Sequence, residues 1–265
     1  MNKLSIFCVT DKEINLLNQD GYSFGWVGKG KTPLNYISCN DKENIFFKEK
    51  NYSELTFHYW YWKNIMNLKN KNWIGFCQKR RYWVKKSYEN EIIEPDNLKN
   101  HLLIEPDNDW ENYESIICKP ISIQGAKKIK IIKRGWKNII KKPSIFFKKN
   151  KENISLHFDM HHGYKNLENA AELLNDEDRD DFIRFISDES SFNPHIMFIS
   201  KSDTLNRWFT VLFPWLERCE KKFGFEKLSG YDTTRLYAYL AERYLSFWFK
   251  KHTKYKEHPW AFINI

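Results

Sequence analysis

Between Trp73 and Trp83 the chain reads Trp-Ile-Gly-Phe-Cys-Gln-Lys-Arg-Arg-Tyr-Trp, an apolar run that stops at two adjacent arginines set among aromatic residues. A buried strand of this kind delivers Arg80 and Arg81 to the rim of a sheet, and open α/β sheets bind ligands beyond the carboxyl ends of their strands. Guanidinium is shaped to hold phosphate oxygens in pairs. The chemistry expected is therefore electrostatic, with fixed cations facing a phosphate-bearing substrate. The competing reading is an arginine paired with a buried carboxylate.

Groups able to move a proton lie in the second half. Asp159, His161 and His162 form an Asp-x-His-His cluster, with Asp232 and Glu242 further along. Any of the five could take the proton of an acceptor hydroxyl. His161 and His162 could instead hold zinc, but no third ligand stands at a convincing spacing. Arg235 and Glu242 are seven residues apart and share a helical face, so Arg235, Glu242 and Arg243 read either as a supporting ion pair or as direct participants. A literal Asp-x-Asp, Asp107-Asn108-Asp109, follows Pro106 and is read as a turn. The five cysteines include no CxxC pair, which argues against a zinc ribbon or a redox couple. Cys8, Cys77 and Cys118 sit in apolar runs and are expected to pack as small hydrophobes.

The elements that must position these groups follow from hydrophobic periodicity. Leu4 to Thr10, Trp73 to Cys77, Tyr113 to Lys119 and His195 to Ser200 read as short buried strands. Tyr22 to Gly30, with Gly25, Gly28 and Gly30, reads as a turning segment. Leu55, Tyr59, Trp62 and Met66 recur at helical steps within 52–68, and Ser53 with Glu54 could open that helix. Tyr59 and Trp62 read mainly as core, and Lys63 either reaches a phosphate or is solvated. Leu167 to Asp188 reads as one or two helices, and Asp203 to Phe223 and Thr233 to Lys251 as amphipathic ones. Strands alternating with helices, then a helix-rich second half, predict a three-layer α/β domain with a helical C-terminal half.

Net charge is +9 over 265 residues, and aromatic residues make up 17%. That composition excludes a disordered chain. The charge suits a phosphorylated substrate, anionic lipid or nucleic acid. A basic nucleic-acid-binding protein is the alternative to an enzyme, but such a module would spread its cations along an exposed face rather than end a strand with them. The basic stretch from Lys127 to Lys151 either meets anionic membrane or is solvated. No signal peptide and no apolar run of about 18 residues is visible, so a cytoplasmic location is expected.

Several ordered blocks resemble the bacterial capsule and exopolysaccharide biosynthesis family, long described as a domain of unknown function, which includes β-1,3-galactofuranosyltransferase domains. They are Asn51-Tyr-Ser-Glu54-Leu-Thr-Phe-His-Tyr59-Trp60-Tyr-Trp62-Lys63-Asn64, Gly75 to Trp83, Tyr113 to Pro120, His157 to His162, Ile196 to Ile199 and Arg235 to Leu245. Gln78-Lys79 stands where the family has His-Tyr, and Ile196 where it has Asn.

The resemblance implies a single GT-A-like domain over 1–265. Its parts would be a nucleotide-sugar-binding half at 1–120, a basic insertion at 121–150 and an acceptor-side helical half at 151–265. It implies transfer of a sugar, galactofuranose being the family precedent, from a nucleotide-sugar such as a UDP-sugar to a growing capsular, exopolysaccharide or O-antigen glycan, lipid-linked or free. Thr10, Gly28, Lys63, Arg80, Arg81 and Tyr82 are the candidate nucleotide and diphosphate contacts. Glu54, Arg235 and Arg243 are candidate supports. The strand that would normally end in a metal-binding Asp-x-Asp ends here in arginines. No cofactor is expected, with manganese or magnesium left open, and the transfer is expected to be inverting.

Overall fold

The computed structural model describes residues 3–14, 21–89, 93–123 and 152–264. Most of the basic stretch expected at 121–150 lies outside the described residues. The strands are β1 (Leu4–Thr10), β2 (Tyr22–Trp26), β3 (Tyr36–Ser38), β4 (Trp73–Gln78), β5 (Arg81–Trp83), β6 (Ser115–Cys118), β7 (Ile121–Ser122), β8 (Ser191–Phe192), β9 (Phe198–Ser200), β10 (Tyr255–His258) and β11 (Trp260–Phe262). The longer helices are α1 (Leu55–Asn64), α2 (Ile154–His162), α3 (Asn166–Ala171), α4 (Asp176–Asp188), α5 (Ser202–Phe223) and α6 (Leu236–His252).

The main sheet runs β10-β6-β9-β4-β1-β2-β3, with β5 and β11 added beside the end of β4. β1 pairs in parallel with both β2 and β4, whereas β9 lies antiparallel between β4 and β6. Every residue of β4 is buried, because cores cover both faces of the sheet. On one face Ile6, Cys8, Cys77, Tyr82, Trp83 and Trp110 share a core. On the other, Val9 and Phe76 pack with α1, α5 and α6, whose largest contributions include Trp208, Trp215 and Tyr244. Full burial of one such large apolar side chain contributes about 1.5–3 kcal/mol. All five cysteines are buried free thiols, so the three on strands do pack as small hydrophobes.

Tyr22 to Trp26 is a strand rather than part of a turn. Its glycine serves packing: a Cβ on Gly25 would lie 2.5 Å from the Phe57 ring, so the missing side chain lets α1 settle onto the sheet. The second half is helical as expected, yet it also supplies β9, β10 and β11 to the same sheet. The segment from His195 is strand only at Phe198–Ser200, and His195 itself has φ 65°, outside any strand geometry.

From β1 the chain moves outward through β2 and β3, then returns through α1 to β4 on the other side of β1. Strand order therefore reverses between β1 and β4. At such a switch point the connections leave in opposite directions and open a crevice beyond the strands' carboxyl ends. Thr10 and Gln78 close the two strands, and Val9 pairs with Gln78 across them.

Candidate functional site

Beyond β4 the chain turns at Lys79 and Arg80 and returns as β5, with Gln78 paired to Arg81. The hairpin is anchored from below. Tyr82 donates its hydroxyl to the Lys79 carbonyl, and the Trp83 indole N–H donates to the Phe76 carbonyl at 2.9 Å. Tyr82 is fully buried, with its hydroxyl pKa pushed up by that burial. The structure thus makes it an anchor of the arginine turn, whereas a nucleotide contact was expected. The arginines reach the rim as anticipated, Arg80 in the turn and Arg81 opening β5.

Each arginine is held by neutral groups. Arg81 Nε donates to His195 Nε2 at 2.9 Å and its Nη1 to Gln78 Oε1 at 3.2 Å. Arg80 Nη2 donates to Asn264 Oδ1 at 2.6 Å, and both guanidinium groups lie over the Phe262 ring. His195 is half-buried, with its ring edge against Trp260 at 4.7 Å. Its pKa lies well below the usual histidine value, first because burial disfavours the charged ring and then because Arg81 and Arg243 flank it. Its backbone N–H donates to Glu242 Oε1.

Across the crevice, Asp11 follows β1 and pairs with Lys79. Burial alone would raise the Asp11 carboxyl pKa. The Lys79 ammonium, the backbone and the more distant Arg235 outweigh it and hold the group below its ordinary value. Glu49 shows the opposite balance, pushed up by burial despite Arg235 and Lys29. Arg235 therefore belongs to the field of Asp11 and Glu49, while Glu242 pairs with the adjacent Arg243. Thr10 uses its hydroxyl locally, accepting from Lys12 N–H at 3.0 Å and donating to the Lys12 carbonyl at 2.5 Å. A Cβ on Gly28 would stand 2.7 Å from the Asp11 carbonyl, so glycine there lets the two loop backbones approach.

The proton-transfer candidates fall on α2, at the approach to α6 and, for Glu242, within α6. Asp159 accepts the Lys165 backbone N–H at 2.8 Å. His162 Nδ1 contacts the Asp232 carbonyl at 2.7 Å and the ring stacks on Tyr239 at 3.8 Å, while burial, then Arg243, keep its pKa well below the usual value. His161 packs one helical turn from His157, ring centroids 4.7 Å apart. Glu242, half-buried, pairs with the fully buried Arg243, which lies against Phe192 at 3.7 Å.

Lys63 is not brought to this rim. α1 links parallel strands and so runs antiparallel to them, which puts its last turn at the opposite end of the sheet; there Lys63 faces Glu43 at 3.4 Å and covers Trp62 at 4.1 Å. A groove of about 250 Å³ lined by Tyr59, Trp62, Lys63 and Phe213 lies at that end. Its aromatic faces are occupied by one another, Trp62 stacking on Phe213 at 5.7 Å, so it carries no reactive geometry. Glu54 stands at the start of α1, accepting backbone N–H groups through its carbonyl. Asp107 and Asp109 are engaged by His258 at 3.7 Å and by Lys256, and the Asp107 carbonyl accepts Trp110 N–H at 3.0 Å, a turn as expected. Among the described residues no group of three or more His, Cys, Asp or Glu side chains is arranged to hold a metal.

Four rim residues, Asp11, Gln78, His195 and Asn264, were not among the sequence candidates. Asp11 carried a usable signal, an acid directly after a buried parallel strand. His195 and Asn264 carried none, since each arrives from a distant part of the chain.

In a mixed α/β sheet, a charged crevice at the switch point lies where open α/β sheets bind their ligands. The chain belongs to the family described as Domain of unknown function (DUF4422), whose family model matches residues 5–254. Its fold is similar to that of the apo structure of the WbbM bifunctional glycosyltransferase, with TM-score 0.74 and 19% identity, over 100% of this chain and 46% of that one. This chain thus spans less than half the length of that protein. No curated protein matches.

Proposed function

We propose that the protein is a glycosyltransferase that moves a sugar from a nucleotide-sugar, in the first instance a UDP-sugar, to a growing surface glycan. The observation that carries this reading is the run of three cations, Lys79, Arg80 and Arg81, directly beyond the carboxyl end of β4, one of the two strands that flank the switch point of a sheet whose fold is similar to a glycosyltransferase's. Fixed guanidinium groups at that rim stabilise the diphosphate as it leaves and gains charge. The end of β4 offers cations rather than carboxylates, a donor set unsuited to a divalent metal, so the arginines take the neutralising role. Asp159 is occupied by the Lys165 N–H and Glu242 by Arg243. Asp232, beside His162 at the approach to α6, is accordingly the base of an inverting transfer in this reading. Galactofuranose as the donor sugar and a lipid-linked acceptor at an anionic membrane surface complete it. Among the described residues no helix is long and apolar enough to cross a membrane.

A thermal-shift screen of nucleotide-sugars, with and without EDTA, tests the reading. A ligand at one hundred times its Kd stabilises by about 2.7 kcal/mol, a shift such a screen resolves. Stabilisation by a UDP-sugar that survives EDTA is expected. A requirement for manganese would remove the arginine-for-metal role, and silence across all nucleotide-sugars would overturn the function.

A further inference from the structure

Among the described residues, the side-chain acceptors that meet Arg80 and Arg81 are all uncharged: Gln78, His195 and Asn264. Arginine always carries its proton and can only donate. Accepting from Arg81 Nε therefore requires the His195 ring to be neutral with its hydrogen on Nδ1, which lies 3.7 Å from Glu242 Oε1. The ring is placed at a cost. His195 holds φ 65°, a left-handed conformation unfavourable for a residue with a Cβ, and the Glu242 carboxylate pins it by accepting its backbone N–H. Arg80 Nε is buried and meets no acceptor among the described residues. A carboxylate in any of these places would orient a guanidinium more strongly, but it would also cancel the charge that an anionic ligand needs. A neutral acceptor fixes direction and leaves the charge in place.

We propose that Gln78 and His195 are positioning residues that aim Arg81 at the diphosphate of the donor while preserving its full positive charge. The inference rests on the glycosyltransferase reading above and adds which residues set diphosphate affinity at that site. It separates orientation from charge, and Gln78→Glu tests the two apart: the variant keeps an acceptor of the same shape opposite Arg81 Nη1 and adds only a negative charge.

The experiment is calorimetric titration of the full chain with UDP, GDP, CDP and dTDP, with uridine as a phosphate-free control, and thermal unfolding of each variant alongside. Gln78→Glu is expected to lower affinity for the preferred diphosphate at least tenfold with a melting temperature equal to or above that of the parent protein. His195→Ala is expected to lose affinity to a similar extent and His195→Gln to recover most of it, because glutamine restores a neutral acceptor. Uridine binding, where measurable, should be unchanged. Equal diphosphate affinity in the parent and in Gln78→Glu, with Gln78→Glu folded, would overturn the positioning role and leave the glycosyltransferase reading standing. Failure of the parent protein to bind any of the four diphosphates would overturn that reading and the inference with it.

Discussion

Arg81 and Arg243 stand at the two ends of one short chain of contacts, Arg81–His195–Glu242–Arg243, and they are held in opposite ways. Arg243 is 2% exposed, paired with the adjacent carboxylate and packed between Phe158 and Phe192. Its charge is consumed inside the protein. Arg81 is partly exposed, and its described side-chain partners are neutral. Its charge is retained at the crevice. Two arginines of identical chemistry thus take different roles because their acceptors differ in charge.

The largest expected effect falls on the buried end. Glu242→Ala strands the Arg243 guanidinium in an apolar surround, and breaking a buried pair from one side costs about 3–5 kcal/mol. Urea denaturation should show that loss, and the double variant Glu242→Leu with Arg243→Met should recover most of it. If Glu242→Ala costs under about 1 kcal/mol, the contrast between the two arginines fails.

A second difference between interior and rim appears with pH. His58 is enclosed by Phe76, Phe198 and Phe209, and burial lowers its pKa to about 3. The unfolded chain takes up that proton near pH 6.5 and the folded chain only near 3, so stability is fully present above 6.5 and declines as pH falls between the two. Full linkage predicts a loss of about 2 kcal/mol from this one group between pH 6.5 and 5. The stability difference between the parent protein and His58→Phe, followed by denaturant titration over that interval, isolates the effect.

Arg81→Ala should act in the reverse sense. Nucleoside diphosphate affinity should fall at least tenfold, about 1.4 kcal/mol, while unfolding free energy changes by less than about 1 kcal/mol, as for other partly exposed polar contacts. Parallel calorimetry and denaturation would decide it, and a large stability loss would make Arg81 structural like Arg243. The smallest effect belongs to Asp11. Its carboxyl titrates below its ordinary value, so its contribution is present above that value and lost as pH falls through the folded pKa. With a side chain 35% exposed, the Lys79 pair contributes under about 1 kcal/mol. Asp11→Asn should therefore flatten the acid end of the stability curve, below about pH 4, with little change at neutral pH.

Much of the architecture was legible. The apolar runs at β1, β4 and β6 and the helical steps of α1, α5 and α6 fall where periodicity placed them, because burial forces residue type to follow period. β2 was obscured by Gly25, which serves helix approach rather than turning. β3, β10 and α2 were not marked as elements, the first two being short and half-polar. In the site, the arginine pair was legible because an abrupt charge after a buried strand has few structural uses. Lys63 misled because helical spacing says nothing about which end of the sheet a helix finishes on.

The sequence by itself determined which strands are buried and that one of them ends in fixed cations, since both depend on neighbours along the chain. Only the tertiary structure decided what those cations are worth. Asn264 meets Arg80 across 184 positions and His195 meets Arg81 across 114. Whether such a distant acceptor is neutral or charged sets the net charge left for a ligand, and local patterning does not encode that pairing.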